Sequence, residues 1–144
     1  HPVCQGRAYL PKKVAKKHNL THEIHMVSSN GRELSSLSIQ LAKNKKMDLV
    51  EARKLFVSVH QDAYSSLSKE KFVKKYAGEK AILADDLSVA IEFKDSKGYL
   101  FHTPYVSGIL NDKNKVIYMF IDEKSQSIVR HEETLEEAYE SSKI

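Results

Sequence analysis

The clearest pattern in the chain is an alternation in its second half. Leu87, Val89, Ile91 and Phe93 are separated by Ser88, Ala90 and Glu92, the period-two signature of a strand with one buried face. Asp95-Ser96-Lys97-Gly98 then reads as a turn. Tyr99 to Leu110 reads as the next strand, Asn111 to Asn114 as a hairpin turn, and Lys115 to Asp122 as the strand returning. Ser127 to Arg130 adds a further strand, and Glu132 to Ser142 is an acidic terminal helix with Leu135 and Tyr139 inward.

The first half reads as mostly helical. Cys4 to His18 has helical character, interrupted where Pro11 removes a backbone donor. Thr21 to Ser28 is a short strand, with Ile24 and Met26 on one face and His25 and Val27 on the other, and Asn30-Gly31 marks a turn. Glu33 to Ala42 carries Leu34, Leu37 and Leu41 at helical spacing. Asp48 is an N-cap with Glu51 three residues on, and Ala52, Leu55, Phe56, Val59 and Ala63 line one face of the helix it starts. A shorter helix from Ser68 to Ala77 ends at Gly78. Helices first and strands second is the α+β order, with the helix pair packed over an antiparallel sheet.

Composition narrows the class without naming a chemistry. A chain of 144 residues supports one domain with a real core, and 41% hydrophobic with 29% charged residues is ordinary for a soluble globular protein. No apolar run approaches the ~18 residues of a membrane-spanning helix, and no signal-peptide pattern is present. The net charge of +4 comes mainly from lysine, in blocks at Lys12, Lys13, Lys16 and Lys17 and at Lys43, Lys45 and Lys46. Acidic residues are interspersed and arginines are few, so these blocks read as solvated faces rather than a nucleic-acid surface. The expected state is a monomer that binds neither nucleic acid nor membrane.

The lone cysteine, Cys4, excludes an internal disulfide and a CxxC motif. Preceding a helical segment, its thiol would feel the positive end of the helix dipole, which favours thiolate. On the hairpin, a turn centred near residue 112 pairs His102 with position 122 or 123. Directly paired side chains have Cβ atoms roughly 4.5–5.5 Å apart. Asp122 would then fix the tautomer of His102 and leave its other nitrogen for a nucleophile. His18, His22 and His25 have a spacing that could ligate a metal, but they straddle a helix-to-strand junction with no cysteine partner. His60 and His131 read as solvated.

Cys4-Gln5-Gly6-Arg7-Ala8-Tyr9 resembles the nucleophile motif of bacterial protein-glutaminases (protein-glutamine deamidases), Cys-x-x-Arg-Ala followed by an aromatic residue or histidine. The likeness runs on through His18-Asn19-Leu20-Thr21 and the strand to Asn30, then resumes at Phe101-His102 and at Phe120-Ile121-Asp122. It covers about a third of the 144 residues. The resemblance implies a single papain-like domain over residues 1–144, with a nucleophile helix at its N-terminus and a helical insertion at about 31–80. It also implies a Cys4-His102-Asp122 triad hydrolysing glutamine side-chain amides of a protein substrate through a thioester. Cys4 attacks the carboxamide, His102 protonates the departing ammonia and then activates water, and Asp122 orients the imidazolium. Gln5 and Tyr105 would line the substrate site, Arg7 would brace the nucleophile helix, and no cofactor or metal is called for. Such an enzyme would be secreted or delivered as an effector or toxin. The same triad would serve a cysteine protease or a transglutaminase-like acyl transferase. A non-catalytic α+β binding module, with Cys4 incidental, is the reading from another class.

Overall fold

A computed structural model of the chain describes residues 12–30, 33–67, 84–124 and 126–143. Its elements are α1 (residues 12–17), β1 (Thr21–Asn30), β2 (Glu33–Lys43), α2 (Leu49–Leu67), β3 (Leu87–Phe93), β4 (Gly108–Asp112), β5 (Lys115–Ile121), β6 (Ser127–Thr134) and α3 (Leu135–Ser142). The fold is α+β. Its six strands lie in sequence order in one sheet. The sheet is mixed rather than antiparallel: β2 and β3 run parallel, with Leu37 opposite Leu87 and Lys43 opposite Phe93. All other neighbours are antiparallel.

Glu33 to Ala42, expected as a helix, is the strand β2, so two strands precede α2. Leu37, Ile39 and Leu41 alternate as well as recur, and all three are buried. Ser35, Ser36 and Ser38 offer little helix propensity, and ladders on both flanks settle the competition. The region expected as a helical insertion at 31–80 therefore begins with a strand inside the sheet. The helix expected at 68–77 lies outside the described residues.

The helix α2 follows its sequence pattern closely. The backbone N–H of Glu51 donates to Asp48 Oδ1 at 2.8 Å, the N-cap bond. Ala52, Phe56, Val57, Val59, His60 and Ala63 are all buried. They pack on Leu37, Ile39 and Leu41 of β2, Leu87, Val89, Ile91 and Phe93 of β3, Ile109 of β4, and Val116 and Tyr118 of β5. The opposite sheet face carries Gln40, Ala90, Glu92, Leu110, Ile117 and Met119, all half-buried.

At the end of α1, Asn19 adopts φ 55, Asn19 N–H donates to Lys16 O at 3.2 Å and Leu20 N–H to Ala15 O at 2.7 Å. This pair of bonds is the Schellman stop, and it turns the chain into β1. At the other terminus Thr134 and Glu137 form a reciprocal capping box, so α3 starts at Leu135 and the preceding Glu132 and Glu133 belong to β6. The expected turn at 95–98 is present: Gly98 N–H donates to Asp95 O at 3.0 Å, and Gly98 takes φ 89, which favours glycine.

The hairpin differs from its expected register. The turn is the two-residue Lys113-Asn114, with Lys113 at φ 53, and β4 begins only at Gly108, opposite Met119. Residues 101–107 leave the ladder as a loop containing a cis Thr103–Pro104 bond. Pro104 has no N–H to offer a ladder, so the long strand from Tyr99 is not available. Asn111, expected in the turn, is buried instead. Its Oδ1 accepts from Val89 N–H at 2.8 Å, while its Nδ2 donates to Leu87 O at 2.9 Å and Lys113 O at 3.0 Å. One side chain thus continues the β3–β4 ladder beyond its last backbone pair.

Replacing Asn111 with Ala leaves the buried Val89 N–H and Leu87 C=O without that partner. The expected loss is about 3 kcal/mol of unfolding free energy, read by urea titration; a loss below about 1 kcal/mol would contradict this role.

Candidate functional site

Parallel β2 and β3 end side by side at Lys43 and Phe93, and the antiparallel neighbours bring the other strand ends to the same level. This rim carries the loops 44–48, 94–107 and 122–126. Loop 94–107 is tied to loop 44–48 by Val106 N–H to Met47 O and to the end of β5 by Thr103 N–H to Ile121 O, both 2.9 Å. Lys46 is held over the Tyr105 ring at 5.5 Å and the Phe101 ring at 6.0 Å. Tyr99 and Tyr105 are exposed, at 68% and 36%.

His102 and Asp122 both lie on this rim. The Thr103–Ile121 bond makes them backbone neighbours, although the direct cross-strand pair expected from the hairpin is not formed. His102 is exposed and sits in the loop rather than on a strand. No hydrogen bond or ion pair joins the two side chains among the described residues. Asp122 Oδ1 instead accepts from the backbone N–H groups of Lys124 and Gln126, each at 2.9 Å, closing the turn into β6. Cys4, Gln5 and Arg7 lie outside the described residues. Of the six residues proposed from sequence, the described rim therefore carries His102, Tyr105 and Asp122.

The hydrogen-bonded His–Asp pair of the described chain is a different one. His18 Nε2 lies 2.6 Å from Asp62 Oδ2, and Lys17 Nζ lies 2.9 Å from the same oxygen. Burial pushes the Asp62 carboxyl up, but the bonds from Lys17 and His18 hold it below its ordinary value. This contact fastens the end of α1 to α2. His22 and His25 lie on β1, their side chains outside the described set. Among the described residues no three His, Cys, Asp or Glu side chains converge as a metal ligand set.

His60 is not the solvated group expected, whereas His131 keeps over a third of its side chain exposed. His60 is fully buried at 0% exposure. Leu87 O, 3.1 Å from Nε2, can only accept, so Nε2 carries the proton and Nδ1 accepts from the Tyr139 hydroxyl at 2.6 Å. Burial pushes the His60 pKa down, against the bonds to the Leu87 and Ala84 carbonyls, and pushes the Tyr139 hydroxyl up to about 12. The helical spacing that places Phe56, Val59 and Ala63 inward already placed His60 among them. His131 is half-buried, its ring 5.1 Å from that of Tyr118.

Beside His131 lies an enclosed ion pair, the least exposed among the described residues. Arg53 Nε and Nη2 donate to Glu133 Oε1 and Oε2 at 2.8 and 3.2 Å, with side-chain exposures of 14% and 7%. The Tyr118 hydroxyl also donates to Glu133. Burial pushes the Glu133 carboxyl up, but the bonds from Arg53 and Tyr118 hold it below its ordinary value; burial and Glu133 raise the Tyr118 hydroxyl. With His131 Nε2 3.5 Å from Glu133 Oε2, the four side chains satisfy one another between α2, β5 and β6, which is a packing role.

A surface groove of about 620 Å³ is lined by Asn114, Leu135 and Tyr139 at the opposite end of the sheet. No residue proposed from sequence lines it. No family model, curated protein or solved structure matches the chain.

Two outcomes follow for stability. Protonation of His60 would set a second N–H against the Tyr139 hydroxyl inside the core. Its folded pKa lies below the unfolded value of about 6.5, so its contribution is present above that pH and is lost as pH falls below it. Thermal melts from pH 7.5 to 5 should show a falling midpoint, with a shallower fall in His60→Gln. Arg53→Ala leaves the buried Glu133 carboxylate without its guanidinium, with Tyr118 and His131 as its remaining partners, and should cost about 3 kcal/mol in urea unfolding.

Proposed function

We propose that this chain is a non-catalytic α+β binding module that engages a protein partner through the rim at the ends of β2 and β3. The observation that carries this reading is the cluster of Lys46, Phe101 and Tyr105, held together by the docking of loop 101–107 on loop 44–48. Tyrosine pairs a large apolar body with a polar tip, and aromatic residues are enriched where proteins meet. His102 and Tyr99 extend the same exposed surface. The polar groups beneath it serve the fold: Asp122 closes its own turn, and Asp95 Oδ1 accepts from Lys97 and Tyr99 N–H groups at 2.9 and 3.0 Å.

The second reading is a papain-like protein-glutamine deamidase, with the cysteine protease and the acyl transferase as variants of the same triad. The bond from Thr103 N–H to Ile121 O favours it, because it sets His102 beside Asp122, and the Cys-x-x-Arg-Ala motif at Cys4 supplies a nucleophile. Catalysis would require the Asp122 carboxylate to turn its second oxygen to the imidazole. A secreted or delivered enzyme acting on a glutamine-bearing protein would follow from this reading.

One pair of measurements separates the two. The binding module should show iodoacetamide alkylation of Cys4 at pH 6 at the rate of a free cysteine, and no ammonia release from casein. Ammonia release abolished by both Cys4→Ala and His102→Ala would overturn it in favour of the deamidase. Peptide cleavage without ammonia, lost in the same variants, would overturn it in favour of a protease.

A further inference from the structure

The two lysine blocks, remote in sequence, are joined in the fold where Lys43 meets the end of α1. Lys43 Nζ donates to His18 O at 3.1 Å and Asn19 O at 3.0 Å, so the end of β2 grips the carbonyl end of α1. A cation at those unsatisfied carbonyls also meets the negative end of the helix dipole. Val14 and Ala15 are buried, which turns Lys12, Lys13, Lys16 and Lys17 outward. Beyond the grip, Lys45 and Lys46 are exposed, and Lys46 leads onto Phe101 and Tyr105.

Charge balance along this strip is uneven. Asp62 pairs with Lys17, whereas Lys12, Lys13, Lys16 and Lys45 have no ion pair among the described residues. Lys45 lies close enough to Lys43 for its charge, after burial, to help depress the Lys43 ammonium. The opposite end of the sheet is acidic, with Glu136, Glu137 and Glu140 exposed on α3. Crowded like charge along one strip draws an oppositely charged ligand and orients its approach.

We propose that the strip from α1 through Lys45 and Lys46 to Tyr105 docks an acidic segment of a partner protein, an apolar side chain of that segment resting on the Tyr105 and Phe101 rings. This rests on the binding-module reading and names its partner chemistry. An acidic segment fits better than a nucleic-acid strand. Asp95, Asp122 and Glu123 stand on the neighbouring loops, where a continuous phosphate track would meet them. A short acidic peptide on the strip meets fewer of them, the acidic group on the lysine loop itself being Asp48, whose Oδ1 accepts from Glu51 N–H.

Fluorescence anisotropy with a labelled Asp/Glu-rich peptide carrying one Phe tests the proposal on the full chain. The double variant Lys45→Glu, Lys46→Glu should weaken binding about tenfold or more, and Tyr105→Ala about threefold without any change of charge. Lys115→Glu with Lys143→Glu makes the same charge change at the opposite end and should alter binding less than twofold. Added salt should weaken binding steeply. Equal losses from both double variants would overturn the proposal, since net charge alone would then explain them. An oligothymidine of equal charge binding more tightly would overturn it too, as would failure of the folded wild type to bind the peptide at low salt. That failure would leave the binding-module reading in place, because alkylation and ammonia release decide that reading separately.

Discussion

The parallel pairing of β2 with β3 is the constraint from which the rest of the architecture follows. Two parallel neighbours cannot be joined by a tight turn, so the chain must travel the length of the sheet between them. The helix α2 makes that journey on one face only, and this fixes which side of every strand is buried. It also brings the two strand ends, the N-terminus of α2 and the loops between the later strands to one rim. The aromatic and basic cluster at that rim is a product of connectivity, assembled from residues 46, 101 and 105.

Elements whose signals were local were legible in the sequence. The alternation of β3, the Asp48 cap and apolar face of α2, and the Asp95–Gly98 turn all appear where the pattern set them. Those that depended on partners were not. Leu34, Leu37 and Leu41 fit a helix as well as Ile39 and its neighbours fit a strand, and only the flanking ladders decide between them. The length of the hairpin turn hinged on Asn111, whose turn propensity was outweighed by three bonds made in the interior. Pro104 was a legible signal against a strand through residues 99–107. The Thr134–Glu137 capping box was equally legible as the start of α3.

The candidate site divides in the same way. Cross-strand reasoning paired His102 directly with Asp122; the ladder stops at Gly108 and Met119, their neighbours Thr103 and Ile121 share one backbone bond, and the carboxylate faces its own turn. The histidine that does meet an aspartate, His18, meets one 44 residues away, a distance at which a single sequence carries no pairing signal. The two lysine blocks were legible as charge but not as joined, because their junction is the grip of Lys43 on the carbonyls of residues 18 and 19.

Asn111 carries a consequence that concerns chemical identity rather than shape. Its amide presents an acceptor to Val89 and donors to two carbonyls, a peptide group supplied by a side chain. Aspartate has almost the same outline but no donor, so its second oxygen would face the Leu87 and Lys113 oxygens across the same short gaps. Glutamine keeps the polarity but overreaches by a methylene. The position therefore discriminates among near-isosteres by the direction of its hydrogen bonds. Spontaneous hydrolysis of this one amide would turn a clasp between β3 and the hairpin into a repulsive contact, with scarcely an atom displaced.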